Sequence, residues 1–434
     1  MYWKKTIITF ISLLSIALMY TGCNNDKEVK KEQNKNINIG TLAGKNEYED
    51  EAVNWYAEKR LFLGDNVVVK IDGEYIKYID PKVGDSVYAC SRGNCNHNTK
   101  DCQAYFGKGC VYSCQDNNTL YVIQYNNEER TLVGYKCNTD GSGRTQIFEM
   151  ESGEVSITDA FMANHQIYFN VKHRYVVDMD KNKYTDEEIL YDSDREQNTI
   201  YGLDLESETI VKLIEFPTMS SSLVSRMFYA KGTLFVEHYY REKSLMTLAD
   251  YVDEKLDSFQ AIESAFLDKY DMNKYNEVLG FGCKQYVYNL KNGETKEVNE
   301  DFLQDAAINY ANDEKIIFGG VVNKEAGLYE YDIKKDKVIS VCNGAVQATA
   351  YIDNKLVCSI GNEKDEKYFV FDEDKQKLVE KRNLSEEICL GYIAEKSGYI
   401  FYENVNGDTL AISKKDFWNG KGNGVIIDKD TMEN

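Results

Sequence analysis

The sequence has very little proline and histidine, and it has none of the short motifs that mark common catalytic sites. Only 2 prolines and 4 histidines occur among its 434 residues. Scarcity of proline leaves the backbone donors available for long hydrogen-bonded ladders. No Gly-x-Ser-x-Gly elbow, His-Glu-x-x-His helix, phosphate-binding loop or dinucleotide fingerprint is present. These absences remove the usual sequence signatures of an enzyme, although an enzyme that assembles its site from scattered loops needs none of them.

Positive charge is also in short supply. The chain has 51 Lys and Arg against 72 Asp and Glu, for a formal net charge of −21. Such a surface repels phosphate backbones and anionic lipid headgroups, so nucleic acid is not expected as a partner. Cationic partners and divalent ions remain compatible with the charge, as does a surface that is acidic simply for solubility.

The first residues have the pattern of an export signal. Lys4 and Lys5 precede an apolar run over 6–19 that is too short to span a bilayer comfortably. The run ends in Tyr-Thr-Gly-Cys23, which resembles the bacterial lipobox. That resemblance implies a lipoprotein signal peptide over 1–22 and a lipid on Cys23. An uncleaved anchor, or an ordinary signal peptide followed by a chance cysteine, is the alternative.

A polar segment follows the signal. Residues 24–50 consist mostly of Asn, Lys, Glu and Asp, with too little apolar surface to offset chain entropy. We therefore expect 23–50 to be a disordered tether that begins at the lipidated Cys23. It would hold a folded domain over 51–434 at the outer face of the cytoplasmic membrane, on the extracellular side.

The rest of the chain consists of repeated strand patterns. The 33 tyrosines favour strands. A recurring unit contains a short apolar strand, a β-rich strand, an aromatic strand ending in Asp or Asn, a tight turn and a closing strand, most clearly over 348–381. Four strands per unit at this spacing predict an all-β fold, a β-propeller of about seven (six to eight) blades. A tandem of β-sandwiches or a parallel β-helix is the competing fold.

Two insertions interrupt the repeat. Residues 244–278 have apolar residues every three or four positions, which predicts a small helical insertion that packs on the propeller or docks a partner. Residues 178–197 are highly charged. Asp178, Asp180 and Asn182 alternate as in a calcium loop, but the glycine of the sixth position is missing and Ile189 occupies the twelfth. A solvated acidic loop is the better interpretation.

The richest chemistry lies in a Cys/His-rich loop over 90–114. Cys90, Cys95, His97 and Cys102 supply three thiolates and an imidazole at short spacing, which suits one structural Zn ion. A complete shell of four protein ligands leaves no position for a catalytic water, so catalysis is not expected at this loop.

Disulfide bonds are the alternative at this loop, because an exported protein meets oxidising conditions. The pairing within this set cannot be deduced from sequence; the six cysteines are Cys90, Cys95, Cys102, Cys110, Cys114 and Cys137. The other cysteines downstream lie in or beside apolar strands and are expected in the core; they are Cys283, Cys342, Cys358 and Cys389.

The stretch 87–106, with Cys90, Cys95, His97 and Cys102 in the arrangement Cys-x4-Cys-x-His-x4-Cys, resembles a group of uncharacterised Firmicutes lipoproteins. These have a TolB-like or DUF5050-like β-propeller. The resemblance implies fold and location and brings no activity with it.

The sequence therefore favours a membrane-tethered, non-catalytic propeller that binds an envelope protein or glycan. The alternative is an extracellular hydrolase or lyase that acts in the propeller funnel. Converging His, Asp or Glu side chains with a basic residue would favour the enzyme.

Overall fold

Several strands of this chain carry continuous apolar runs rather than strict alternation, which predicts sheets covered on both faces. Residues Leu120–Ile123 and Ile167–Phe169 are examples, and all of them are buried. In a ring of sheets each blade is covered by its two neighbours, so such strands bury both faces.

The computed structural model describes residues 37–39, 52–54, 62–63 and 67–428, except for 127, 152–153, 177–193, 253–255, 257–258, 299–302, 304–305, 344–345, 353–354, 361–366, 373–376, 381–388, 405 and 421–423. The predicted signal peptide, Cys23, most of the predicted tether and the acidic loop around Asp180 lie outside the described residues.

The strands form seven four-stranded antiparallel meanders, here called blades 1 to 7. Strands β1 (Ile37–Ile39) and β2 (Ala52–Asn54) precede blade 1, which contains β3 (Phe62–Leu63), β4 (Val68–Asp72), β5 (Tyr75–Ile79) and β6 (Ser86–Tyr88). Blade 2 contains β7 (Cys110–Asp116), β8 (Thr119–Asn126), β9 (Thr131–Asn138) and β10 (Thr145–Glu151). Blade 3 contains β11 (Glu154–Ala163), β12 (Gln166–Val176), β13 (Asp194–Asp204) and β14 (Thr209–Glu215). Blade 4 contains β15 (Ser221–Ala230), β16 (Thr233–Arg241), β17 (Phe281–Asn289) and β18 (Thr295–Val298).

The last three blades repeat the same order. Blade 5 contains β19 (Ala307–Ala311), β20 (Lys315–Val322), β21 (Glu325–Asp332) and β22 (Lys337–Asn343). Blade 6 contains β23 (Val346–Ile352), β24 (Lys355–Ile360), β25 (Lys367–Asp372) and β26 (Lys377–Glu380). Blade 7 contains β27 (Cys389–Lys396), β28 (Tyr399–Glu403), β29 (Thr409–Ser413) and β30 (Val425–Asp428). The predicted β-propeller of about seven blades is confirmed.

The ring closes without exchange of a strand between its first and last blades. Each blade takes its four meander strands from one continuous stretch of chain. Blade 7 meets blade 1 through a small apolar cluster that includes Val68, Phe401 and Ile427. Lys70 Nζ lies 2.5 Å from Asp428 Oδ1 at the same junction. Side-chain packing and this ion pair therefore hold blades 7 and 1 together.

Acidic and amide residues set the tight turns that the repeat pattern predicted after its aromatic strands. Asp204 ends β13 and its Oδ1 accepts hydrogen bonds from the backbone N–H groups of Glu206 and Ser207. Asp332 does the same for Lys334 and Lys335 at the end of β21. A side-chain acceptor that closes its own turn explains why Asp or Asn recurs at this position.

The first two strands join the ring far from blade 1. Strand β1 pairs in parallel with β14, at the outer edge of blade 3. Strand β2 pairs antiparallel with β15, the inner edge of blade 4, and also contacts β11 and β27. Since β11, β15 and β27 are the inner strands of three blades, β2 lies in the central channel. Residues 37–39 fall within the segment 23–50 that the sequence predicts as a tether.

The predicted helical insertion is confirmed between β16 and β17. It contains a 3₁₀ helix (Leu245–Tyr251) followed by α1 (Phe259–Lys269) and α2 (Met272–Leu279). Asp271 caps α2 through its side chain, and Gly280 ends the helix at φ 63°. The insertion buries its own apolar cluster, centred on Leu248, Phe266 and Leu279.

A further short helix, α3 (Lys414–Asn419), lies in blade 7. Among the described residues, no helix has the length and apolar character needed to cross a bilayer.

Candidate metal centre

The Cys/His loop is closed at its base by backbone hydrogen bonds to Glu74 and Ile76 of blade 1. The Ala89 N–H donates to the carbonyl oxygen of Ile76 at 3.0 Å, and the Ile76 N–H donates to the carbonyl oxygen of Ala104 at 2.9 Å. The Phe106 N–H donates to Glu74 O at 2.9 Å. Both arms of the loop thus run beside β5, and residues 90–103 form an excursion with a fixed base.

Two local turns bring the ligands together within this excursion. The Cys95 N–H donates to Arg92 O, and the Cys102 N–H donates to Thr99 O, each at 3.1 Å. Between them His97 has a φ of 53°, in the left-handed region that histidine tolerates better than branched residues do. These turns reverse the chain twice over a short distance, so that distant positions in the loop can share one centre.

The four predicted ligands form one compact set, here called the Cys3His set: Cys90, Cys95, His97 and Cys102. Their three sulfur atoms and one ring nitrogen all lie within 4.8 Å of one another. The His97 Nδ1 is 3.3 Å from Cys102 Sγ. Cys102 is 3% exposed, whereas the other three residues are half-buried. Among the described residues this is the one cluster of Cys, His, Asp or Glu side chains whose ligand atoms lie close enough together to hold a metal ion.

The environment separates the pKa values of two thiols in the set. Burial acts to raise the pKa of Cys90, but hydrogen bonds from the backbone of Arg92 and Gln103 and from the thiols of Cys102 and Cys95 outweigh it, so the pKa is lowered. Burial raises the pKa of Cys102 to about 11, and its neighbours Cys95 and Cys90 add to the increase. A cluster of neighbouring thiols favours a shared cation, because each new thiolate otherwise repels the last.

Aromatic and polar contacts orient the imidazole. The rings of Tyr88 and His97 stack with their centroids 4.5 Å apart. Lys77 Nζ lies over the Tyr88 ring, 4.6 Å from its centroid. Arg92 donates from Nη1 to Asp101 O at 2.8 Å, across the loop. A ligand held by stacking keeps its ring nitrogen directed at the set.

The loop also attaches blade 1 to blade 2. Ser91 Oγ donates to Asp140 Oδ2 at 2.6 Å, and Arg144 donates to Tyr105 O at 2.8 Å while its guanidinium lies 3.6 Å from the Phe106 ring centroid. A Cβ added at Gly141 would overlap the carbonyl oxygen atoms at the loop base. The turn after β9 of blade 2 therefore packs closely against the loop.

The other cysteines of the predicted disulfide pool lie outside the set. Burial raises the pKa of Cys110 to about 12 and that of Cys137 to about 11. The Cys137 thiol is 3.7 Å from Leu120 O in the blade core. Cys114 is buried in the same apolar cluster. No disulfide bond joins Cys90, Cys95, Cys102, Cys110 or Cys137 in this structure.

The remaining cysteines, predicted from the sequence to lie in the core, are buried or half-buried where their side chains are described. Cys358 is buried, and Cys342 packs beside it between blades 5 and 6. Cys283 is half-buried beside Gln285. The side chain of Cys389 lies outside the described residues.

The sequence did not indicate a second polar cluster, between blades 3 and 4. Ser222 Oγ lies 2.7 Å from His238 Nε2 and accepts from Asn198 Nδ2 at 2.7 Å, and Asn170 Nδ2 donates to Asn198 Oδ1 at 2.8 Å. The Ser222 hydroxyl donates to His238 Nε2 or accepts from it, according to the tautomer of the ring. We call these four residues the buried polar chain.

A serine hydroxyl within hydrogen-bond distance of a histidine nitrogen is also the geometry of a nucleophile and its base. His238, however, is 1% exposed and stacks on Phe216 with centroids 4.1 Å apart. Burial, with a smaller effect of Lys284, lowers the pKa of His238 to about 4, which makes it a weak base at neutral pH. No sequence motif predicts the contact between Ser222 and His238, because the pairing of β15 with β16 in blade 4 brings the two residues together.

Comparisons with known proteins extend the description of the fold. No protein-family model matches the sequence, and no curated protein sequence matches it. The β-propeller domain of the Trilobed protease from Pyrococcus furiosus is 11% identical over 83% of this chain and 92% of its own, with a TM-score of 0.41. Acylaminoacyl peptidase from Pyrococcus horikoshii is 12% identical over 87% of this chain, with a TM-score of 0.44.

This chain spans 53% of the length of the acylaminoacyl peptidase from Pyrococcus horikoshii. An oligogalacturonate lyase in complex with manganese is 9% identical over 90% of this chain and 100% of its own, with a TM-score of 0.43. These likenesses concern the propeller fold alone.

Proposed function

We propose that the Cys3His set holds one structural zinc ion. Its donors are three sulfurs and one imidazole nitrogen, which is a common composition for structural zinc. Zinc–sulfur bonds of about 2.3 Å in a tetrahedron place sulfurs about 3.8 Å apart. The observed limit of 4.8 Å therefore needs only small side-chain movements. The single observation that supports this proposal is the convergence of all four donors on one point.

Metal analysis tests the zinc proposal. Protein purified under reducing conditions should contain about one zinc per chain, and His97→Ala should lower that content. His173→Ala is the matched control, because His173 lies on β12 away from the loop. Zinc-free protein with no free thiols among the six clustered cysteines would establish disulfides instead.

We propose further that the chain is a cell-surface lipoprotein whose propeller binds an envelope protein or glycan without catalysis. The lipobox-like Cys23 and the polar segment after it support the location. The helical insertion supports binding, because it has its own buried core and presents Leu267, 38% exposed, to solvent. Phe281, 42% exposed, follows it and stacks on Tyr275. Exposed apolar side chains on an added element are typical of a docking surface.

Two measurements separate location from binding. Radiolabelled palmitate should enter the protein and be lost in Cys23→Ala, and equal labelling of both forms would contradict the lipoprotein proposal. Surface crosslinking followed by identification of envelope partners should lose its products in Leu267→Glu with Phe281→Glu. Val321→Glu, at an apolar position of blade 5 that is 55% exposed, is the control.

A hydrolase or lyase remains the second candidate, and the contact between Ser222 and His238 is the observation in its favour. Fluorophosphonate labelling tests it directly. Because Ser222 is 1% exposed, we expect no labelling at Ser222. Labelling that disappears in Ser222→Ala would favour the enzyme.

A further inference from the structure

We propose that the Cys3His set is a redox-sensitive latch. While its thiols are reduced, zinc holds residues 90–103 together. Oxidation of Cys90 and Cys95 to a disulfide by hydrogen peroxide expels the metal and releases the outer part of the loop. This inference depends on the zinc site proposed above and adds a regulation to it.

Access for the oxidant differs among the three sulfurs. Cys90 and Cys95 are half-buried, whereas Cys102 is 3% exposed beneath the loop. Peroxide oxidation follows the exposure and thiolate character of a cysteine. The two accessible sulfurs are therefore the ones that react, and both precede His97 in the loop.

The geometry allows these two sulfurs to join. Both lie within the 4.8 Å set, so closing to the 2.05 Å of a disulfide bond requires a shift of a few ångströms at most. The connecting residues can accommodate that shift. Arg92 and Asn94 are exposed, and a Cβ added at Gly93 would meet nothing within 4 Å. The hydrogen bonds of Ser91 to Asp140 and of Arg92 to Asp101 O are the side-chain contacts that the shift has to accommodate.

The reaction balances with peroxide as the only oxidant. One thiolate attacks a peroxide oxygen, which breaks the O–O bond, forms a sulfenic acid and releases hydroxide. The second thiolate attacks the sulfenic sulfur, forms the S–S bond and releases a second hydroxide. Two electrons pass from the two sulfurs to the peroxide. Zinc then retains two protein ligands, His97 and Cys102, and dissociates.

The structural effect is local, because the loop base does not depend on the metal. The backbone bonds of Ala89 and Ala104 to Ile76 remain, and Phe106 stays under Arg144. The outer residues 91–101 lose their anchor. The contact of Ser91 with Asp140 of blade 2 lies in this part and is weakened. The latch thus changes a surface loop between two blades while the propeller core stays folded.

Peroxide titration of the zinc-loaded, full-length chain tests the latch. Zinc release, followed with a colorimetric chelator, should parallel the loss of two thiols per chain. Peptide mapping without reduction should find Cys90 joined to Cys95, and dithiothreitol with added zinc should reverse both changes. Hydrogen exchange should rise in 91–101 and stay unchanged in β5. Zinc that stays bound, or leaves only as sulfinic acids form, would overturn the proposal.

Two variants distinguish the latch from general thiol damage. Cys95→His keeps four zinc ligands but leaves Cys90 with only the buried Cys102 as a partner, so peroxide-driven release should slow at least about tenfold. Cys342→Ser, which removes a half-buried thiol of blade 5, should release zinc at the wild-type rate. Equal rates in all three proteins would refute the role of Cys95. Reduced protein that takes up no zinc would refute the zinc proposal itself before any peroxide is added.

Discussion

The junction between blades 1 and 2 and the junction between blades 3 and 4 are held by two different chemistries. At the first, a loop carries the half-exposed Cys3His set and contacts blade 2 through Ser91 and Arg144. At the second, the buried polar chain connects Asn170 and Asn198 of blade 3 with Ser222 and His238 of blade 4.

The difference lies in what each junction responds to. The metal site proposed for the Cys3His set would depend on the supply of metal and on the redox state of its thiols. A buried chain of neutral hydrogen bonds is insulated from both, but it responds to protonation of its histidine. Two junctions of one ring can therefore loosen under unrelated conditions. The following predictions test that separation, from the largest expected effect to the smallest.

Zinc should have the largest effect, and at the first junction only. Free zinc at about a thousand times its Kd adds about 4 kcal/mol to the stability of the state that binds it. We expect chelation to raise hydrogen exchange in 90–103 and to leave β13, β15 and β16 unchanged. Exchange that rises equally at both junctions would show that the set is coupled to the whole ring.

Acid should act on the second junction. The pKa of His238 is lowered to about 4 from its ordinary value of 6.5, so the unfolded chain binds a proton more readily. The free energy of unfolding that depends on a neutral His238 is therefore present in full above pH 6.5. It falls by about 3 kcal/mol at most as the pH is lowered towards 4. Urea unfolding at several pH values should show a smaller acid loss in His238→Gln. His173→Gln is the control, and the same reduction in both would contradict the assignment.

Removing the middle of the buried polar chain should cost less. Ser222→Ala leaves the Asn198 amide and the His238 ring nitrogen without their shared partner, and we expect a loss of about 1–3 kcal/mol in unfolding free energy. Ser340→Ala removes an exposed hydroxyl that contacts Asn343 and should change stability by less than about 0.5 kcal/mol. Equal effects in denaturant unfolding would argue against an energetic role for the chain.

The smallest effect is expected at a third junction, which has neither the Cys3His set nor the buried polar chain. Lys70 and Asp428 join blades 1 and 7 with partly exposed side chains. Lys70→Met should lower stability by about 1 kcal/mol or less, because solvent screens such pairs. Thermal unfolding at low and high salt measures it. A loss as large as that of Ser222→Ala would show that this pair closes the ring.

The sequence was most informative where structure is local. The propeller, the helical insertion and the convergence of Cys90 and Cys102 follow from patterns and turns that span few residues. The contact of Ser222 with His238 was not predictable, because it depends on which strands pair within blade 4 and on how blade 3 packs against it. Strand β1 was missed for a related reason. Ile-Asn-Ile in a polar segment is too short to show strand periodicity, and its partner lies in blade 3.

The position of the two N-terminal strands has a consequence for the order of assembly. Strands β1 and β2 pair with residues that come roughly 170 positions later in the chain, so a long loop must close before either can form. Blade 1 and blade 2 need only nearby residues. A chain that emerges with its N-terminus first therefore places these first strands only after blades 3 and 4 exist. Because β2 also contacts β27 of blade 7, its set of contacts in the central channel is complete only once the last blade of the ring has formed.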